Sequence, residues 1–163
     1  MYQIGALAGI ARAEGGRLAH VKAHGALYNQ AARDPDLACI ARAIRDFDPE
    51  LKVMGLAGSL LIDAARPEGL TALQEGFADR RYRSDGSLAR RGTPGALIDD
   101  EAAMLRQVLS LVREGRVTTQ EGGLLSLQVD TICLHGDGPH ALDFAKALCA
   151  RLRTEGIAVG PGR

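Results

Sequence analysis

Tryptophan is absent from this 163-residue chain, aromatic residues make up only 4% of it, and neither sign of charge is in surplus. Lys and Arg together number 20 and so do Asp and Glu, so the basic excess that displaces counterions from nucleic acid or anionic membrane is missing. Neither partner is expected. No apolar run nears the ~20 residues that span a bilayer, and no basic-then-apolar leader is seen at the start. Cys39, Cys133 and Cys149 stand far apart without a C-x-x-C spacing. That argues against a disulfide framework or a structural zinc site and for a reducing, cytoplasmic setting. Lysine is scarce as well, with Lys22, Lys52 and Lys146 the only three among 20 basic residues. A phosphate-cradling loop is also lacking, because the turn at 55–58 has no Lys-Ser/Thr ending.

What is present is a regular alternation of helical and strand-like stretches, 46% hydrophobic overall, without repeats, charge blocks or a linker-like shift in composition. The length suits one α/β domain over 1–163, yet is short for a closed barrel, which typically needs ~200 residues or more. Ile4, Leu7, Ala8 and Ala11 predict a first amphipathic helix that ends at Gly15-Gly16. A strand over 18–22 and a helical turn over 25–32 follow. Asp34-Pro35 then caps a helix whose buried stripe is Leu37, Ala38, Ala41 and Ile44. Residues 51–56 read as a strand, and Gly58-Ser59 as the turn and cap of a short helix through Ala65. A strand over 71–78 is expected to be interrupted by Gly76.

After a polar loop at 84–94, Asp99 or Asp100 caps a helix facing inward through Met104, Leu105, Val108, Leu109 and Val112, and Gly115 ends it. Residues 129–134 predict a strand. Pro139 begins a last helix with Leu142, Ala145, Cys149 and Leu152 in step, and 157–159 predicts a final strand. Strands alternating with helices imply parallel pairing, whose chemistry gathers where strands end.

Three such strand ends carry chemistry-bearing residues. Lys22 and His24 lie two apart beside Gly25, so that on an extended chain they share a side; an ammonium can steady an oxyanion while an imidazole moves a proton. Spacing alone weighs this no more than a surface Lys and a loop His. Glu75 precedes Asp79-Arg80, where the arginine can bind a carboxylate with Asp79 orienting it, or the two can form an unremarkable surface pair. His135 and Asp137 leave an apolar strand where a helix begins, as an acid–base pair, as metal ligands, or with Asp137 merely facing helix amides. Cys133 reads as core, and His20 and His140 as structural.

In this order, the motifs VKAHGALYNQAARD (21–34), GLAGS (55–59), EGFADRRY (75–82), PGALI (94–98) and CLHGDGPHAL (133–142) resemble the LamB/YcsF family. Its members are the A subunit of prokaryotic ATP-dependent 5-oxoprolinase. The resemblance implies a (β/α) barrel of the glycoside hydrolase/deacetylase type, of which this chain would be the C-terminal portion. It also implies ring-opening hydrolysis of 5-oxo-L-proline to L-glutamate. ATP, with magnesium, would be consumed, and B and C subunits would be partners. The motifs mark positions, not duties; on those positions the expected catalytic residues are Lys22, His24, Glu75, His135 and Asp137 and the expected substrate-binding ones Asn29, Asp79, Arg80 and Arg91, with no metal site assigned.

The departures set further expectations. The family's opening segment, with an Asp-Leu-Asn start and several His and Asp residues, has no counterpart here. Ala23 stands where the family has Pro, Gly76 where it has a β-branched residue, and Arg90 where it has Pro. A barrel without its first strands is expected to expose an edge and apolar flanks, favouring association with another copy or with partners. A truncated subunit that only associates is therefore one alternative function. A metal-dependent deacetylase or carbohydrate-directed hydrolase is another, by fold kinship.

Overall fold

Four short strands running in the same direction carry the alternation of helix and strand in the computed structural model, which describes residues 1–138 and 140–160. The elements are α1 (Tyr2–Ala13), β1 (His20–Lys22), α2 (Ala26–Ala31), a 3₁₀ turn (Pro35–Ala38), α3 (Cys39–Phe47), β2 (Lys52–Leu56), α4 (Leu60–Ala65) and β3 (Ala72–Phe77). They continue with α5 (Glu101–Leu109), a π turn (Ser110–Glu114), β4 (Arg116–Thr118), β5 (Leu124–Ser126), β6 (Thr131–Cys133) and α6 (Ala141–Thr154). The parallel strands follow the order β1-β2-β3-β6, with His20 level with Lys52 and Phe77 level with Cys133. The chain divides into two compact units, Met1–Gln74 and Glu75–Arg163.

In the first unit, Ala41, Ile44, Leu51, Val53, Leu61 and Leu70 form the core. Asp34 caps as expected, its carboxylate accepting from Asp36 N at 3.0 Å, although the turn that Pro35 opens is 3₁₀ before α3 begins. Ser59 occupies the N-cap of α4 without a side-chain capping bond, and its buried hydroxyl has no hydrogen-bond partner. α1 corrects the expected stripe. It meets the unit along the half-buried Ile4, Ala8 and Ala11, a seam too narrow to include Leu7, which is 60% exposed; Ile10 is exposed as well.

In the second unit, Ala78, Ile98, Met104, Val108, Phe144, Leu148 and Leu152 form the core. Asp100 is the N-cap of α5 and accepts from Ala103 N at 2.7 Å. Gly115, at φ 60°, ends the helical run in the left-handed region that favours glycine. Several expectations change here. β3 runs through Gly76 rather than being interrupted there. A Cβ at Gly76 would lie 2.8 Å from Val129 Cγ1 and 3.2 Å from Ile132 Cδ1, so these side chains fill the space that a side chain would need.

The expected strand at 129–134 contracts to β6, and an antiparallel hairpin, β4–β5, precedes it. The segment 157–159 forms no strand; Ile157 instead packs against the helical core. Val112 turns outward because the inward row runs Met104, Val108 and Leu111, at i, i+4 and i+7. In α6 the inward row is Phe144, Leu148 and Leu152, at i, i+4 and i+8, which leaves Leu142 and Cys149 exposed. Pro139, expected to start this helix, lies outside the described residues.

Candidate functional site

The site grows from the place where β3 and β6 end together. A parallel ladder continuing past Ala78 N, which donates to Cys133 O at 2.8 Å, would next send His135 N–H to the Ala78 carbonyl. Asp79 intervenes. Its Oδ2 accepts from His135 N at 3.2 Å, and its two carboxylate oxygens lie 2.9 and 3.0 Å from His135 Nδ1. Gln107, buried on α5, takes up the carbonyls left behind, its Nε2 donating to Phe77 O at 2.8 Å, Arg80 O at 2.9 Å and Ala78 O at 3.3 Å. The Asp79 backbone is held as well, its carbonyl accepting from Ile98 N.

This geometry settles the tautomer by chemistry. A carboxylate accepts, so His135 Nδ1 carries the hydrogen and donates it, and in the neutral ring Nε2 is left as the acceptor. The ring also stacks on Phe77, with centroids 5.6 Å apart. Together these contacts fix an imidazole with one basic nitrogen beside a cavity of about 280 Å³.

That cavity is lined by apolar residues, Leu97, Ile98, Leu134 and Phe144 among them, and by the polar Asp79, Asp99, His135 and Asp137 with Arg91. Its size and its few convergent polar groups suit a small metabolite. Arg91 Nη1 donates to Asp137 Oδ2 at 2.9 Å, with the two side chains 48% and 66% exposed. The Asp137 carboxyl is held below its ordinary range, chiefly by this hydrogen bond, so at neutral pH it is a carboxylate without a proton to give. His140, read from the sequence as structural, lines the cavity and stacks on Phe144.

Two expected site residues of this unit sit elsewhere. Glu75 is buried on β3 and does not line the cavity. Arg80 is buried too; one nitrogen donates to Ala89 O at 2.6 Å while Nε has no partner, and burial, followed by the charge of Arg91, pulls its pKa down. Sequence reasoning missed Gln107. The available signal was a polar residue set in the otherwise apolar row of Met104, Val108 and Leu111.

In the first unit, Lys22 ends β1 with its Nζ 5.3 Å from the centroid of the buried Tyr28 ring, a cation–π contact. β1 stops at Lys22, so strand alternation does not extend to His24, which is exposed in the irregular stretch that follows. Asn29 is exposed, and its Nδ2 donates to Gly25 O at 3.3 Å. Among the described residues no group of three His, Cys, Asp or Glu is placed to hold a metal ion, and no helix is long and apolar enough to cross a membrane.

Parallel strands joined through helices, with a histidine held by a carboxylate where β3 and β6 end, define an α/β protein with a candidate site beside a small cavity. The family follows from comparison: the LamB/YcsF family model matches residues 1–163, and the chain belongs to that family. It is also similar to a lactam utilization protein from Thermus thermophilus known from a crystal structure, at 42% identity and a TM-score of 0.86. The match covers 97% of this chain and 63% of that one, so the chain spans less than two thirds of the length of that relative.

Proposed function

We propose that the chain acts in lactam utilization as a hydrolase subunit, the A subunit of an ATP-dependent 5-oxoprolinase, opening 5-oxo-L-proline to L-glutamate. The observation that carries the reading is the Asp79–His135 pair beside a metabolite-sized cavity that also presents Arg91, in a LamB/YcsF chain similar to a lactam utilization protein. Within this reading the chain forms part of a (β/α) barrel of the glycoside hydrolase/deacetylase type, supported by four parallel strands whose ends carry the polar residues.

In the proposed chemistry, His135 Nε2 takes a proton from water as the water oxygen bonds to the lactam carbonyl carbon. The ring C–N bond then breaks, and the same proton passes from the imidazolium to the departing nitrogen. Asp79 keeps the imidazole in the required tautomer and steadies its charged form, and Arg91 binds the substrate carboxylate. Because an amide is a poor electrophile, phosphorylation of its oxygen at the expense of ATP would make the carbonyl carbon attackable; ring opening then leaves the phosphoryl group on the new acyl oxygen, and a second water releases it as inorganic phosphate together with L-glutamate. In this reading the nucleotide and its magnesium are carried by companion B and C subunits.

The test is ATP-dependent glutamate release from 5-oxo-L-proline by the chain reconstituted with those subunits. His135→Ala is expected to lower the rate by about 10²- to 10⁴-fold, the range of a lost general base; an unchanged rate removes His135, and this mechanism with it. Parallel replacement of Lys22, His24 and Glu75 decides whether those three belong to the reaction.

A further inference from the structure

The Arg91–Asp137 pair has an unusual setting for a surface ion pair, since both of its members line the cavity that His135 also faces. Arg91 is the only Lys or Arg among the described residues lining it, whereas three aspartates, Asp79, Asp99 and Asp137, do so. Asp79 is committed to His135, so the positive charge that would attract an anion into this cavity is already held by a carboxylate of the protein itself.

We propose that Asp137 occupies the position of a ligand carboxylate on Arg91, and that carboxylate-bearing ligands bind by exchange, with the incoming carboxylate taking Arg91 and Asp137 moving into water. The inference rests on the lactam reading for the identity of its natural ligand, but not for its physics.

Three features favour exchange over a permanent structural pair. A single hydrogen bond, Nη1 to Oδ2, joins the two side chains. A guanidinium fork matches a carboxylate best through two parallel bonds, so an incoming acid can gain a contact that Asp137 does not make. Both partners are about half exposed or more; an exposed ion pair holds its members weakly, and a displaced Asp137 recovers its hydration at once. Asp137 also lies in an irregular turn beyond β6 and before α6, so its side chain can leave without disturbing a ladder or a helical hydrogen bond.

The exchange assigns opposite roles to neighbouring residues. His135 acts on the reacting group, whereas Asp137 competes with the substrate carboxylate for Arg91. A neutral lactam has nothing with which to displace Asp137; an acid does. Aspartate at this position therefore raises the threshold that an acid must pass to occupy Arg91, while a ligand without a carboxylate, which does not compete for Arg91, is indifferent to it.

Binding to the chain can be followed through the ring resonances of His135 and by calorimetry, with three probes that separate the chemistry. L-5-oxoproline carries both lactam and carboxylate, 2-pyrrolidinone only the lactam, and cyclopentanecarboxylate only the carboxylate. Asp137→Asn is expected to tighten L-5-oxoproline and cyclopentanecarboxylate by roughly two- to fivefold, the scale of an exposed ion pair, and to leave 2-pyrrolidinone unchanged. Arg91→Ala should weaken the two acids by about tenfold or more, again without effect on 2-pyrrolidinone.

If Asp137→Asn leaves cyclopentanecarboxylate binding unchanged or weaker, the exchange is wrong whatever the lactam does. If cyclopentanecarboxylate binds and responds as described while L-5-oxoproline does not bind, the exchange stands and the lactam reading fails.

Discussion

Replacing Gln107 by Leu keeps the size and the apolar fit of a buried α5 position while removing the single amide that serves three main-chain carbonyls. Those carbonyls belong to Phe77, Ala78 and Arg80, the residues that flank Asp79, and the donor lies 2.8, 3.3 and 2.9 Å from them. The two shorter contacts are full hydrogen bonds and the third shares a donor hydrogen with one of them. Leaving buried carbonyls unmet costs ~1–3 kcal/mol each, partly recovered through relaxation and the added apolar contact, so a net loss of about 2–4 kcal/mol is expected. For a chain of this size that lowers the melting temperature by roughly 4–16 °C. Urea unfolding followed by circular dichroism measures the free energy directly. The same variant should broaden the His135 ring signals, because Asp79 loses the fixed backbone that aims its carboxylate at Nδ1. A loss below about 0.5 kcal/mol, with sharp and unshifted His135 signals, would refute the idea that Gln107 anchors the site.

Gly76→Ala places a Cβ 2.8 Å from Val129 Cγ1 and 3.2 Å from Ile132 Cδ1, and is expected to destabilise the chain by about 1–3 kcal/mol through overpacking. Adding Val129→Ala should recover part of that loss, and a double-mutant cycle of unfolding free energies showing simple additivity would mean that the two sites do not compete for space. The Asp137 carboxyl titrates below its unfolded value because of Arg91, so the pair's contribution is present above the unfolded carboxylate pKa and is lost only as pH falls through the lower folded value. No change in the Arg91–Asp137 pair is therefore expected between pH 5 and 8. A carbon-detected NMR titration should find the Asp137 midpoint below ~3.9, moving up toward it in Arg91→Ala.

Much of the fold is legible in the sequence because its determinants are local. Asp34-Pro35, Asp100 and Gly115 mark helix ends through backbone chemistry that reaches only a few residues, and each acts where expected. What fails is decided at longer range. Nothing near Gly76 announces that Val129 and Ile132 fill the space where a side chain would sit, so a glycine that looks like a strand breaker is accommodated within β3. The β4–β5 hairpin has arms of three residues each, too short for alternation to stand out. Apolar spacing places Leu142 and Val112 inward, but the packed faces of α6 and the π turn are rotated from the ones that composition suggests.

The site follows the same division. Asp79 and His135 each stand out as polar residues just beyond an apolar strand, but nothing in the sequence pairs two residues 56 positions apart. The register of β3 with β6 does. Phe77 is level with Cys133, so counting two residues onward on both parallel strands brings Asp79 level with His135. Two strand assignments and one register therefore contain the pair, and the missing information was the neighbour relation in the sheet rather than any property of the residues. Arg91 and Asp137 have no such route. Their meeting depends on the path of the loop from Arg80 to Leu97, held by bonds such as Arg81 N to Ala96 O and Ala89 N to Arg81 O, which no periodicity encodes. The groups proposed to orient proton transfer are thus fixed by the sheet, while the pair proposed to exchange with the ligand hangs on a loop and an exposed turn. A substitution that shifts the loop without touching β3 or β6 should therefore alter which acids bind while leaving the His135–Asp79 geometry intact.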